Sequence, residues 1–137
     1  MKYLLFLFIV FITTNSLSQN KLALIVAVGE YPASSKIKPI ASVNDVKYIK
    51  AALNRNGFDQ KNIDTLINSK ATKKAIVNAL TQLSEKAKKN DIVVIHLSCH
   101  GQQIRDQKTI ELGKDEDDGY DEAFLPYDAM PKYNPTG

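Results

Sequence analysis

The sequence has a single cysteine, Cys99, so no disulfide can close within these 137 residues and the core must rest on apolar packing. Glycine and proline are sparse, at six and five residues, and there is no internal repeat or low-complexity tract, which excludes the collagen-like and disordered classes. Charge of one sign is scarce as well. The formal net charge is +3, and Lys47, Lys50, Lys73, Lys74, Lys86, Lys88 and Lys89 are scattered over helix-like segments without interleaved aromatics. That pattern describes solvated helix faces and offers no surface to nucleic acid. A long apolar run is also missing, because the apolar stretch from Tyr3 to Ile12 falls short of the roughly 20 residues that cross a bilayer.

That stretch nevertheless has the layout of an export signal. Lys2 supplies a basic start, residues 3–12 an apolar centre, and Thr13, Thr14, Asn15, Ser16 and Ser18 a small polar exit. The reading is a signal peptide over residues 1–18, with Gln19 as the mature amino terminus, and a secreted or cell-envelope protein without a membrane span once the signal is removed. Residues 19–137 then read as the amino-terminal portion of one domain.

Residues 22–28 are continuously apolar between Lys21 and Gly29, as suits a strand buried on both faces. Pro32, Ser34, Ser35 and Pro39 mark a loop over residues 30–41. Val46, Ile49 and Leu53 recur at helical spacing behind Asn44 or Asp45, either of which can cap a helix, and Asn56-Gly57 closes it. Residues 63–67 predict a second strand. Thr72 caps a second helix with Ile76, Leu80, Leu83 and Ala87 on one face, ended by Asn90. Residues 92–98 predict a third, buried strand. The alternation of strand and helix predicts right-handed crossovers, a mainly parallel sheet and an α/β fold. Beyond Gly101, residues 102–110 alternate weakly, as in a hairpin on the rim. An acidic run from Asp115 to Glu122 follows, and then a short strand over residues 123–126.

The third strand ends in Ser98-Cys99-His100-Gly101, at the edge where open α/β sheets place their chemistry. His100 there is either a general acid and base or a histidine satisfied by a loop carbonyl, and its position alone leaves both open. Cys99 and His100 do not form a dyad, since neighbours on a strand project to opposite faces. Cys99 reads as a buried, inert thiol. His96 and His100 share a face but stand about 13 Å apart at strand rise, too far for one zinc ion, so His96 reads as a packed strand residue. The acidic run is a solvated loop or part of an oxygen-rich calcium site, without the spacing of an EF-hand.

Several pieces in order carry a resemblance: the opening strand with Gly29 and Tyr31, Ser42-Val43-Asn44-Asp45, Ala71-Thr72, Asp91, Ser98-Cys99-His100-Gly101-Gln102, and the acidic run ahead of Leu125-Pro126-Tyr127-Asp128. Together they resemble the caspase-like cysteine peptidases, metacaspase type. The resemblance implies a caspase-like three-layer α/β sandwich with a mainly parallel central sheet, incomplete at the carboxyl end because such a domain needs roughly 250 residues. It implies a cysteine endopeptidase acting on protein or peptide substrates after Arg or Lys. His100 would be the general acid and base, Gly101 would allow close backbone approach at the oxyanion, and Asp45 would form the floor of the specificity pocket. No cofactor is required for the chemistry, with calcium as an activator and Asp121 as one ligand. Two departures stand out: Cys99 replaces a glycine of the family pattern, and the strand ending in Asp-x-Cys that supplies the nucleophile is absent. The chain as written is therefore expected to be inactive. The alternatives are a caspase-like scaffold without catalysis and an unrelated α/β binding domain whose acidic loop holds a metal.

Overall fold

Residues 22–28 have no polar side chain, and such a segment is stable only where both faces are covered. In the computed structural model, which describes residues 19–105 and 120–130, this segment forms β1 (Lys21–Ala27), the centre of a three-stranded parallel sheet. β2 (Ile63–Ile67) pairs on one side and β3 (Ile92–Ser98) on the other. Ala27 is in register with Ile67 on β2 and with Ser98 on β3, so all three strands end together at one edge. The signal peptide read over residues 1–18 and the acidic residues 115–118 lie outside the described residues.

The two faces of β1 recruit different helices. Leu22, Leu24, Val26 and Val28 pack with Ile76 and Leu83 of α2 (Lys73–Lys86), whereas Ala23, Ile25 and Ala27 pack with Val46 and Leu53 of α1 (Asp45–Arg55). Helix, sheet and helix thus make three layers. Each fully buried Leu, Ile or Val contributes about 1.5–3 kcal/mol, so β1 concentrates the driving force for folding. α2 is capped by Thr72, whose Oγ1 accepts from the Ala75 N–H at 3.2 Å. α1 is entered through a 3-10 turn, Ser42–Asn44, without a side-chain cap from Asn44. Gly57, at φ +79°, turns the chain beyond its carboxyl end.

β3 departs from the expectation of a buried strand. Among the described residues it pairs only with β1, and Ile92, Val93, Ile95 and Leu97 are 38 to 50% exposed, because no described element covers its outer side. On the rim, β4 (Gly101–Arg105) pairs antiparallel with β5 (Tyr120–Phe124), while residues 106–110, the remainder of the expected hairpin, lie outside the described residues. The last strand therefore starts three residues earlier than the sequence suggested. Asp121 consequently sits inside it, paired with Ile104, and not ahead of it. Among the described residues no helix is long and apolar enough to cross a membrane.

Asp91 ties the start of β3 to the chain entering β1. Its carboxylate accepts from the backbone N–H of Lys88 and of Asn20, each at 2.9 Å. These bonds, that of Lys88 foremost, hold its pKa below the ordinary carboxylate value. A depressed carboxylate stabilises the fold above its unfolded pKa, and that stability is lost as pH falls through the folded pKa. Asp91→Asn should therefore lower the melting temperature at pH 7, with the gap to wild type closing in acid. Thermal denaturation across that range checks it, and a gap independent of pH would contradict it.

Candidate active site

Three segments leave the shared edge of the sheet: the β1–α1 loop, the turn after β2 and the Cys99-His100 pair after β3. Gly29 lets the first fold back sharply. A Cβ there would lie 2.7 Å from the Ile40 carbonyl oxygen, and the Ile40 N–H donates to the Gly29 carbonyl at 2.9 Å. Asn68, just after β2 and in the left-handed region at φ +45°, accepts through Oδ1 from the N–H groups of Gly29 (2.9 Å) and Glu30 (3.2 Å). The loop is thus gripped at its start and carried across the end of β3.

His100 is half-buried where that loop arrives. Its Nε2 lies 2.8 Å from the Lys38 carbonyl oxygen. A carbonyl only accepts, so Nε2 carries the proton and Nδ1 of the neutral ring keeps a free lone pair. The ring of Tyr31 stands 5.7 Å from the imidazole, tilted by 49°. The Tyr31 hydroxyl accepts from the His100 N–H at 3.2 Å and donates to the Leu125 carbonyl at 3.0 Å. The Leu125 N–H in turn donates to the His100 carbonyl at 2.8 Å. That last bond makes Gly101 and Phe124 a non-hydrogen-bonded pair, which leaves the Gly101 N–H out of the ladder with β5.

Asp45 reaches the same edge from the first turn of α1. Its Oδ2 accepts from the Ser98 hydroxyl at 2.8 Å, so an exposed carboxylate is attached to the residue two before His100. Cys99 points elsewhere, packing with the cluster on the α2 side. Burial pushes its thiol pKa up, opposed by a bond from the Leu125 N–H, so it is held as a thiol. His96 is half-buried on β3, and its Nε2 has no partner among the described residues.

The structure therefore brings Asp45, His100 and Gly101 to one edge and leaves Asp121 apart. Asp121 is exposed on β5, about 10 Å along the strand from Phe124, the partner of Gly101. No group of three or more His, Cys, Asp or Glu side chains among the described residues could hold a metal. Asp121 offers one carboxylate where calcium takes six to eight oxygen ligands, and the acidic residues 115–118 lie outside the described residues. The sequence reading missed the Lys38 carbonyl and gave Tyr31 no role. A backbone acceptor has no residue signature.

A family model described as the caspase domain matches residues 20–136. The chain belongs to the caspase-domain family. Among curated proteins it is 35% identical over 114 residues to Metacaspase-6 of Arabidopsis thaliana, covering 79% of this chain and 29% of that protein. It is 31% identical over 120 residues to Metacaspase-1 of Candida albicans, covering 83% of this chain and 26% of that one. This caspase domain thus spans less than a third of the length of these relatives. A crystal structure of a Geobacter sulfurreducens protein shares the fold, with a TM-score of 0.62 and 24% identity, over 80% of this chain and 40% of that one.

Gly29→Ala tests how the loop is held. The added Cβ must push the Ile40 carbonyl away, and overpacking of this kind costs about 1–3 kcal/mol. The variant should melt earlier and exchange its Ile40 amide faster, since the bond to the Gly29 carbonyl is strained. An unchanged melting point with unchanged exchange would show that the loop accommodates a side chain there.

Proposed function

We propose that this caspase domain belongs to a cysteine endopeptidase that cleaves after Arg or Lys, with His100 as general acid and base. The observation that carries this reading is the bond between His100 Nε2 and the Lys38 carbonyl at 2.8 Å, which fixes the ring and leaves Nδ1 as its basic nitrogen. The nucleophile is a cysteine outside this chain, because Cys99 packs toward α2 with a raised pKa.

In the first half-reaction Nδ1 takes the thiol proton as sulfur attacks the substrate carbonyl. The oxyanion so formed is met by the Gly101 N–H, which the strand pairing leaves uncommitted. Collapse breaks the C–N bond. The imidazolium returns its proton to the leaving amine, and an acyl-thioester remains. In the second, Nδ1 takes a proton from water as its oxygen attacks the thioester, and the released thiolate recovers that proton.

Asp45 supplies the preference for basic residues. Its carboxylate is exposed at the same edge and pinned by Ser98, a geometry suited to a guanidinium or ammonium group. The helix-capping reading of this stretch finds no support in a side-chain cap from Asn44.

The test uses a form of the protein that carries a nucleophilic cysteine. His100→Ala should lower kcat roughly a hundredfold to ten-thousandfold with KM little changed. Asp45→Asn should selectively lose Arg and Lys peptides while keeping the residual rate on neutral ones. Cys99→Ala should retain activity. Arg preference persisting in Asp45→Asn would remove the pocket assignment, and activity disappearing in Cys99→Ala would make Cys99 the nucleophile. A well-folded protein with no turnover on any peptide would favour a caspase-like scaffold.

A further inference from the structure

Tyr31 touches both the ring and the backbone of His100. It sits four residues beyond β1, in the same loop that delivers the Lys38 carbonyl. Its hydroxyl closes a small circuit: the His100 N–H donates to it, it donates to the Leu125 carbonyl, and the Leu125 N–H donates back to the His100 carbonyl. Both polar groups of the His100 peptide backbone are therefore fixed by Tyr31 and Leu125, while the ring is fixed by Lys38. Burial, partly opposed by the His100 N–H, raises the Tyr31 pKa, so the hydroxyl keeps the proton it donates to Leu125.

We propose that Tyr31 is a positioning residue, whose hydroxyl locks the His100 backbone onto the segment after β5 and so sets where Nδ1 points. The inference rests on the reading of His100 as general acid and base, and it deepens that reading by assigning a task to a residue with no reacting atom. Two adjacent grips from one loop, on the backbone N–H and on Nε2, leave the imidazole little freedom to tilt. Removing the hydroxyl alone would free the N–H and the Leu125 carbonyl while leaving the ring packing in place. The imidazole would then sample orientations that are unproductive for proton transfer.

Tyr31→Phe is the test, with Tyr48→Phe, an exposed tyrosine on α1, as the control. On this chain, amide hydrogen exchange at His100 and Leu125 should accelerate about tenfold in Tyr31→Phe and stay unchanged in Tyr48→Phe. In a form carrying the nucleophile, Tyr31→Phe should lower kcat about tenfold with KM unchanged and the melting point nearly preserved. A side chain that served only stability would shift the melting point and leave kcat alone, and that result overturns the proposal. Unchanged exchange at His100 overturns it on structural grounds, whatever the kinetics. If His100→Ala proves kinetically silent, the acid–base reading fails by itself, and the exchange data still decide whether Tyr31 holds the backbone.

Discussion

Both faces of β1 are closed to water, and that double burial sets the position of everything else. Residues Ala23 to Ala27 are at most 1% exposed, with alternate side chains committed to α1 and α2. A one-residue slip of β1 would exchange the two sets, placing alanines where α2 needs leucine and valine. Its register with β2 and β3 is therefore fixed by packing, and with it the edge at which the three strands end together. The Val28 N–H extends the pairing by one more bond, to the Ser98 carbonyl at 2.9 Å.

What gathers at that edge is held mainly by backbone groups. Asn68 holds the start of the β1–α1 loop, Gly29 allows its reversal, Lys38 presents a carbonyl to His100, and Tyr31 bridges to Leu125. Beyond Leu125 the chain is tied down again. The Tyr127 N–H donates to the Ala71 carbonyl at 2.9 Å, and Asp128 accepts from the Lys73 N–H at 2.8 Å, at the start of α2. The histidine is thus connected to both helical layers through short polar links, each anchored to an element whose place β1 determines. A fold organised in this way can keep one imidazole orientation without a carboxylate partner for the ring.

The parts of this arrangement legible in the sequence are those that side-chain pattern encodes. The apolar run at 22–28, the helical spacing of Val46, Ile49 and Leu53, the cap at Thr72 and the strand at 92–98 all correspond to observed elements. The position of His100 at the sheet edge is legible because a strand ending in a polar turn marks such an edge. The burial of β3 was misread, because an apolar run shows only that a strand seeks cover, and not whether a described neighbour provides it. The pairing of β4 with β5 spans residues 106–119, too far for local alternation to reveal. The contact between Asp45 and Ser98 joins positions 53 residues apart, and its geometry follows only once α1 packs over the sheet in which β3 pairs with β1.

Acid–base work by His100 depends most on its tautomer, because a ring that donates from Nε2 to Lys38 has Nδ1 free for proton transfer, and the opposite tautomer does not. Nitrogen-15 NMR of the imidazole, at a pH where the ring is neutral, reads this directly. The bond to Lys38 predicts a protonated Nε2 and an unprotonated Nδ1 for His100. A protonated Nδ1, or an even mixture of the two forms, would contradict it.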